Sequence, residues 1–318
     1  MRRRPDWKTV LSSALFVVMV ALLAYYLYRN REELRSLLSL DARTVALLLA
    51  LSLGACLFNC LYHRALLLGY GMTLSLCDWV GVVLVSNAIA YVLPMRADLI
   101  FTGAYYKRVK GMRYTRMASM AAGNIVFGVI FSLLQILVAL LCMAFLDGQA
   151  PVAIWLCWAL GTACVTAFLF LSLGAEGKAL ALLSRWAVLS RIVTGFNELL
   201  RNRAMLWRLL GCLVGNNLFN LLCYMLCFRS VGLPVTLYEA LFYNSVSWLA
   251  GIVAIVPGNI GIKESVMGAA TLMMGSLFRS GVAASLLQRV AVMIVYVLGG
   301  LIFAIPVTRR MRRGATEA

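Results

Sequence analysis

Apolar runs long enough to cross a lipid bilayer recur from one end of this chain to the other. The first extends from Thr9 to Tyr28, and others follow throughout the 318 residues. A helix of about 20 apolar residues crosses the ~30 Å hydrocarbon core of a membrane. Since 63% of the residues are apolar and only 13% are charged, the composition is not that of a soluble domain. The sequence therefore predicts an all-α, polytopic integral membrane protein.

The pattern of the apolar runs excludes a transmembrane β-barrel. A barrel needs short strands in which apolar and polar residues alternate, whereas segments 47–53 and 133–141 are almost continuously apolar. The first run resembles a signal peptide, but it is long and lacks a small-x-small cleavage site. We therefore expect an uncleaved N-terminal anchor.

Basic residues indicate how the apolar segments cross the membrane. The segments lie near 9–28, 44–62, 79–93, 117–146, 152–173, 205–228, 237–256 and 281–307. Lys and Arg cluster in 94–116, in 174–208 and at both chain ends. Short basic loops stay in the cytoplasm, so all four regions should lie there. Eight simple spans cannot place all four basic regions on the cytoplasmic side.

Two re-entrant hairpins, one broken at Pro94 and one at Pro257, remove the conflict. The shift that lays Pro257 on Pro94 also lays 232–237 on 69–74, which indicates an internal repeat. The chain would then have six full spans and two Pro-broken hairpins that open to opposite sides. Inverted repeats of this kind recur in transporters. The alternative is eight ordinary spans, so we predict about six to eight transmembrane helices.

The repeat divides one transmembrane domain, residues 1–318, into five parts. They are an N-terminal anchor helix and loop (1–43), repeat unit 1 (44–146), a linking helix and basic cytoplasmic segment (147–204), repeat unit 2 (205–307) and a basic tail (308–318). We expect a multi-pass protein of a bacterial-type cell membrane with both termini in the cytoplasm.

Charged residues follow each predicted proline break. Proline frees carbonyl groups, glycine permits a tight turn, and the next helix presents its positive N-terminus. Ionisable groups inside a membrane must pair or line a polar cavity. The candidate substrate-binding residues are Arg96, Asp98, Pro257, Gly258, Gly261, Lys263, Glu264 and Arg289. Such a pocket suits an anionic head group, although the charges near the breaks could instead only fix loop depth at the interface.

Amide side chains also fall within the apolar runs. They are Asn59, Asn87, Asn124, Gln135, Asn216 and Asn220. Amides in membrane helices either line cavities or hydrogen-bond between helices, and the second interpretation is favoured.

Enzyme, metal and nucleic-acid functions find no support in the sequence. It contains no Walker loop, dinucleotide turn or Ser-His-Asp set, and no His stands beside Asp98 or Glu264. Two pairs of cysteines lie one helical turn apart, Cys56 with Cys60 and Cys223 with Cys227, and the only histidine, His63, cannot complete a zinc site with either pair. The net charge of +17 is assigned to topology and lipid head groups rather than to nucleic acid. We expect no enzyme activity and no cofactor.

At the two proline motifs the chain resembles the lysylphosphatidylglycerol synthase transmembrane family, also called the flippase-like domain family. Its Pro-Gly-Arg-x-Gly-Glu-like and Pro-Gly-Gly-Ile-Gly-Val-Arg-Glu-like stretches read here as Pro94-Met-Arg-Ala-Asp and Pro257-Gly-Asn-Ile-Gly-Ile-Lys-Glu. Gly123-Asn124 occupies the place of the family's Glu-Arg pair, whereas Gln288-Arg289 keeps the arginine. The resemblance spans nearly the whole chain.

The resemblance implies translocation of a lipid with an anionic or modified head group, either an aminoacyl phospholipid or a polyprenyl-linked glycan intermediate. In the synthases a soluble aminoacyl-transfer domain follows the membrane part. The sequence here ends at Ala318 after a basic tail, so we expect a stand-alone member without that domain. The alternative is a non-transporting partner or scaffold of a separately encoded lipid-modifying glycosyltransferase or synthase. The expected partners are membrane lipids and, under the alternative, that enzyme.

Overall fold

The computed structural model describes residues 40–72, 75–93, 96–148, 151–173, 197, 201–252, 259 and 261–313. These residues form α-helices and contain no strand. The helices are α1 Ala42–Gly69, α2 Val82–Val92, α3 Ala97–Lys110, α4 Tyr114–Leu146, α5 Val152–Leu173, α6 Arg203–Ser230, α7 Leu237–Ile252, α8 Ile262–Met273 and α9 Phe278–Arg313. A π-helical turn, Cys77–Gly81, leads into α2. The all-α prediction is confirmed, and the predicted N-terminal anchor lies outside the described residues.

Four of the described helices, α1, α4, α6 and α9, are long and apolar enough to cross a membrane. Their outer faces remain apolar, as contact with lipid requires. On α1, for example, Leu53, Leu57 and Leu61 follow one another at one-turn spacing and are 51%, 54% and 36% exposed. The chain is therefore a polytopic helical membrane protein, as the apolar runs predict.

Helices α1 and α6 pack against each other in an antiparallel pair. Gly54 of α1 faces the ring of Phe219, and Gly215 of α6 faces the ring of Phe58. A Cβ on these glycines would lie 2.4 and 2.2 Å from the nearest ring carbons. Both helices are 28 residues long, and the shift that lays α6 on α1 also lays Gly215 on Gly54 and Phe219 on Phe58. The same contact is therefore made twice, about an approximate twofold axis.

The order of helices repeats in the same way. A long, a short, a short and a long helix occur as α1–α4 and again as α6–α9, with α5 between them. Contacts cross between the two sets, because α4 packs on α7 while α9 packs on α2. Arg96 and Asn259, each two residues after a break proline, are the described non-glycine residues with positive φ, at 56° and 58°. This geometry is what an inverted repeat requires, although the bounds of the repeat units stay a prediction.

The short helices form two hairpins that open at opposite ends of the bundle. Asp78, just before α2, pairs with Lys110 at the end of α3, with 3.0 Å between Oδ2 and Nζ. The α2–α3 hairpin therefore opens at the end where α1 finishes and α4 begins. Tyr238, at the start of α7, donates to Asp147 after α4 at 2.6 Å, so the α7–α8 hairpin opens at the other end. Whether either hairpin is re-entrant in a bilayer stays a prediction.

One end of the bundle is rich in basic side chains, and we call it the basic end. It carries Lys107, Arg108, Lys110, Arg113, Arg116, Arg201, Arg203 and Arg310. This grouping comes from both halves of the chain, since the α2–α3 hairpin, the start of α6 and the end of α9 all meet there.

Replacing Gly215 with valine should lower the stability of the protein. The new side chain would collide with the Phe58 ring, and overpacking of this kind costs about 1–3 kcal/mol. The matched control is Gly211→Val on the same helix, where an added Cβ meets nothing within 4 Å. The midpoint of thermal unfolding in detergent, followed by tryptophan fluorescence, measures both. Equal losses in the two variants would contradict the close α1–α6 packing.

Candidate functional site

A polar cavity of about 510 Å³ lies where the two sets of helices meet. Helices α1–α4 and α6–α9 contribute to its wall, and no described residue of α5 does. The wall contains Arg96, Asp98, Lys263, Gln288 and the asparagines Asn59, Asn87, Asn124, Asn216, Asn217, Asn220, Asn244 and Asn259. Polar groups are costly in hydrocarbon and mark sites of function when they gather inside a membrane bundle.

Arg96 stands at the break between α2 and α3 and reaches across to the second hairpin. Its Nη2 donates to the carbonyl oxygens of Gly251 at 3.3 Å and Ile252 at 2.8 Å. The last carbonyls of a helix lack partners within it and carry the negative end of its dipole, so a guanidinium stabilises them. Asp98, in the first turn of α3, lines the same cavity. The first break thus places both charges that its motif predicts at the cavity.

Lys263 enters the cavity from the first turn of α8. Its Nζ donates to Oε1 of Gln288 on α9 at 2.9 Å and lies 5.8 Å from the ring centre of Tyr224 on α6. The face of an aromatic ring attracts a cation, and the amide oxygen adds a hydrogen bond. The second break therefore presents an ammonium group that three helices hold in place.

Glu264 and Arg289 form a buried ion pair that supports the second break. Arg289 Nη2 lies 2.7 Å from Glu264 Oε1, and the two side chains are 3% and 8% exposed. Arg289 also donates to the carbonyl of Asn259 at 3.2 Å, and Glu264 Oε2 accepts the N–H of Gly261 at 2.8 Å. Neither side chain lines the cavity. The pair fixes the backbone from which Lys263 projects.

Gly261 begins the turn into α8 with φ of 84°, a conformation that glycine adopts without steric cost. Pro257 and Gly258 lie outside the described residues. The residues of the predicted polar centre thus fall into two groups. Arg96, Asp98 and Lys263 face the cavity, whereas the ion pair of Glu264 and Arg289 lies behind its wall. That any of them binds substrate stays a prediction.

The profile of one protein family, the lysylphosphatidylglycerol synthase TM region, matches residues 9–300. This chain belongs to that family. The match covers nearly the whole chain and confirms the resemblance noted at the two proline motifs. No curated protein and no solved structure matches the chain.

The two halves of this lysylphosphatidylglycerol synthase TM region differ in their charges. In the second half, Gln288 holds Lys263 and Arg289 holds Glu264. In the first half, Asn124 stands where the family's Glu-Arg pair is expected, and it accepts a hydrogen bond from the hydroxyl of Tyr62. Within the described residues, the ion pair behind the cavity therefore occurs at the second break.

The asparagines in this family member both join helices and line the cavity. Asn216 of α6 donates to the carbonyl of Ala55 on α1 at 2.7 Å, and Asn59 of α1 donates to the hydroxyl of Tyr296 on α9 at 2.8 Å. Hydrogen bonding between helices is the role predicted for them. The same side chains lie in the cavity wall, so the two roles are combined.

Two residues of the wall, Asn217 and Asn244, are missing from the residues predicted from sequence. Nδ2 of Asn244 on α7 donates to Oδ1 of Asn217 on α6 at 2.6 Å. Both lie within apolar runs, which is the signal that singles out Asn216 and Asn220 and could have identified these two as well. In the described part of the chain, no group of three or more His, Cys, Asp or Glu residues is placed to hold an ion.

Proposed function

We propose that this protein is a flippase that moves a lipid with an anionic head group between the leaflets of a cell membrane. The observation that carries the proposal is the polar cavity inside a bundle whose outer faces are apolar. A head group that crosses hydrocarbon must lose its hydration, and amide and charged side chains can replace the lost water. Membership of the lysylphosphatidylglycerol synthase TM family supports a lipid-related, flippase-like role.

The charges in the cavity wall favour an anion over a cation. Among the wall residues that the structure describes, Arg96 and Lys263 are cationic and Asp98 is acidic. These residues give that part of the wall a net positive charge, which attracts a phosphate and repels an additional ammonium group. The many amides donate and accept hydrogen bonds and so suit a head group that also bears hydroxyls, as in a polyprenyl-linked glycan. An aminoacyl head group with its own ammonium fits less well.

The two hairpins provide a route for alternating access to this cavity. Their open ends lie at opposite ends of the bundle, and their broken ends meet where Arg96 bonds the carbonyls at the end of α7. With the basic end in the cytoplasm, the units become inverted repeats with re-entrant hairpins and a multi-pass topology. In transporters of this kind, one repeat moves against the other around a fixed central site. The head group is bound and released unchanged, so no catalytic step is required.

Lys263→Gln should slow exchange of an anionic lipid by about tenfold or more, because a hydrogen bond to a charged group contributes about 1.5–3 kcal/mol. Glutamine is close in length to lysine and remains polar, so loss of the charge is the main change. The assay uses purified protein in vesicles that contain a fluorescent phosphatidylglycerol, with a membrane-impermeant quencher to report leaflet exchange. A fluorescent phosphatidylcholine tests whether charge matters.

The matched control is Lys107→Gln, since Lys107 is exposed on α3 with its Nζ 4.4 Å from the ring centre of Tyr114, away from the cavity. This variant should exchange lipid at the wild-type rate. Unchanged exchange in the Lys263 variant would remove the cavity from the mechanism. A wild-type protein that moves neither an anionic phospholipid nor a polyprenyl-linked lipid would overturn the transport proposal itself.

A further inference from the structure

We propose that a second site, at the basic end, binds the phosphate of an anionic phospholipid from the adjoining leaflet. The site is a pocket of about 650 Å³ between the end of α1 and the starts of α4 and α6. Tyr70, Arg116, Arg201, Asn202 and Arg203 lie in its wall. None of these residues lines the central cavity, so the two sites are separate.

The charge of the pocket favours a phosphate. Three guanidinium groups, from Arg116, Arg201 and Arg203, meet in its wall, and no acidic side chain is found among the wall residues that the structure describes. Guanidinium groups bind phosphate oxygens through paired, charge-assisted hydrogen bonds. The three side chains are exposed, so they can reorient around a ligand. Basic pockets at the ends of membrane helices are typical sites for anionic lipid head groups.

Two helix N-termini add to this positive charge. Helix α4 begins at Tyr114 and α6 at Arg203, and both starts adjoin the pocket. A helix N-terminus carries partial positive charge and unpaired N–H groups that suit an anion. The side chain of Asn202 already accepts the N–H of Met205 at 3.0 Å, so some of these donors on α6 are occupied. The arginines therefore provide most of the expected binding.

The position of the pocket matches the depth of lipid phosphates. Helices α1 and α6 each have 28 residues. Such helices are about 42 Å long at 1.5 Å per residue, which is close to the ~40–45 Å thickness of a bilayer with its head groups. Gly69 ends α1 and Arg203 begins α6, so this end should lie among the head groups. Tyr70 is there too, with its ring centre 5.5 Å from the guanidinium carbon of Arg116, as in an interfacial aromatic belt.

Apolar side chains near the pocket favour a lipid over free phosphate. Leu68 and Trp207, each within one helical turn of a wall residue in sequence, are 40% and 74% exposed. In a membrane these side chains would contact acyl chains, which adds binding energy that a free phosphate cannot gain. Met205 packs on Gly69 in the same wall, where its Sδ would lie 1.8 Å from a Cβ added to the glycine.

The test measures how phospholipids stabilise the purified full-length protein in a non-ionic detergent. Short-chain phosphatidylglycerol should raise the midpoint of thermal unfolding of the wild type. In R116Q/R203Q the concentration needed should rise about tenfold or more, because two charge-assisted contacts are lost. R108Q removes one charge from the exposed face of α3 outside the pocket and should behave as wild type. R116K/R203K, which keeps charge but loses paired bonding, should fall between them.

Three results would overturn the proposal. Equal stabilisation by short-chain phosphatidylcholine would show that the site does not select an anionic lipid. Equal stabilisation by inorganic phosphate would show that binding does not depend on the lipid chains. Unchanged lipid binding in R116Q/R203Q would remove the pocket. If that variant does not fold, R203Q, at the exposed start of α6, serves the same comparison with a smaller expected shift. Binding here does not require transport, so failure of the flippase proposal would leave this result intact.

Discussion

Replacing Arg289 with methionine is expected to lower the free energy of unfolding by about 3–5 kcal/mol, because it leaves an unpaired charge in the protein interior. The side chain of Glu264 is 8% exposed and lies 2.7 Å from the guanidinium. Without Arg289, the carboxylate is left in a poorly hydrated site with no counter-charge. The carbonyl of Asn259 loses its hydrogen bond as well.

The double variant Glu264→Gln with Arg289→Met distinguishes the effect of losing the ion pair from the effect of leaving one buried charge without its partner. Both charges are gone, so most of the stability should return, since buried ion pairs are often replaced by uncharged residues at little net cost. Glutamine also keeps an acceptor for the N–H of Gly261. Denaturant unfolding in detergent, followed by tryptophan fluorescence, measures each variant. Equal losses in the single and double variants would show that the pair does not compensate charge.

The same double variant also tests how Arg289 contributes to the proposed transport. Neither member of the pair lines the cavity, so their expected role is to hold the turn from which Lys263 projects. Leaflet exchange should therefore largely return with stability in the double variant. Exchange that stays absent in a stably folded double variant would indicate that Arg289 itself contacts the head group.

The apolar runs predict most of the fold because the bilayer limits what a chain can form. Runs of apolar residues above the length of a span leave few alternatives to helices, and α1, α4, α6 and α9 confirm this. Arg289 could also be singled out, since a charge in a long apolar helix needs a partner. Its partner, Glu264, is one of the predicted residues. The length of an apolar run and a charge within it are properties of one segment, so they can be recognised from the sequence alone.

The direction of side chains around a helix could not be predicted in the same way. Lys263 and Glu264 are adjacent and follow the same proline, but only Lys263 faces the cavity. Consecutive side chains on a helix lie about 100° apart around its axis, so neighbours in sequence face different surroundings. Which surface faces the cavity depends on how α8 packs on α9 and α7, and the sequence of α8 alone does not specify that packing. The pairing of Gly54 with Phe219 was hidden for the same reason.

Replacing Asp78 with alanine should lower the free energy of unfolding by about 2–3 kcal/mol, because four donors, one of them the buried hydroxyl of Tyr105, would lose a common acceptor. The side chain of Asp78 is fully buried. It accepts from Ser75 N at 2.8 Å and from Tyr105 Oη at 2.7 Å, and it pairs with Lys110 at 3.0 Å and Arg310 at 3.3 Å. It therefore joins the start of α2, the end of α3 and the end of α9.

The donors around Asp78 should contribute unequally to this loss. Lys110 and Arg310 are 20% and 42% exposed, so both can turn toward water when the carboxylate is removed. Tyr105 is fully buried and has no such option, so its hydroxyl should account for much of the cost. Tyr105→Phe together with Asp78→Ala should therefore be more stable than Asp78→Ala alone, whereas Lys110→Gln with Asp78→Ala should gain little. Unfolding in detergent of the wild type, the single variant and the two double variants measures these differences. If the Lys110 double variant were instead the more stable of the two, the ion pairs, rather than the buried hydroxyl, would be the main contacts that stabilise this end of the first hairpin.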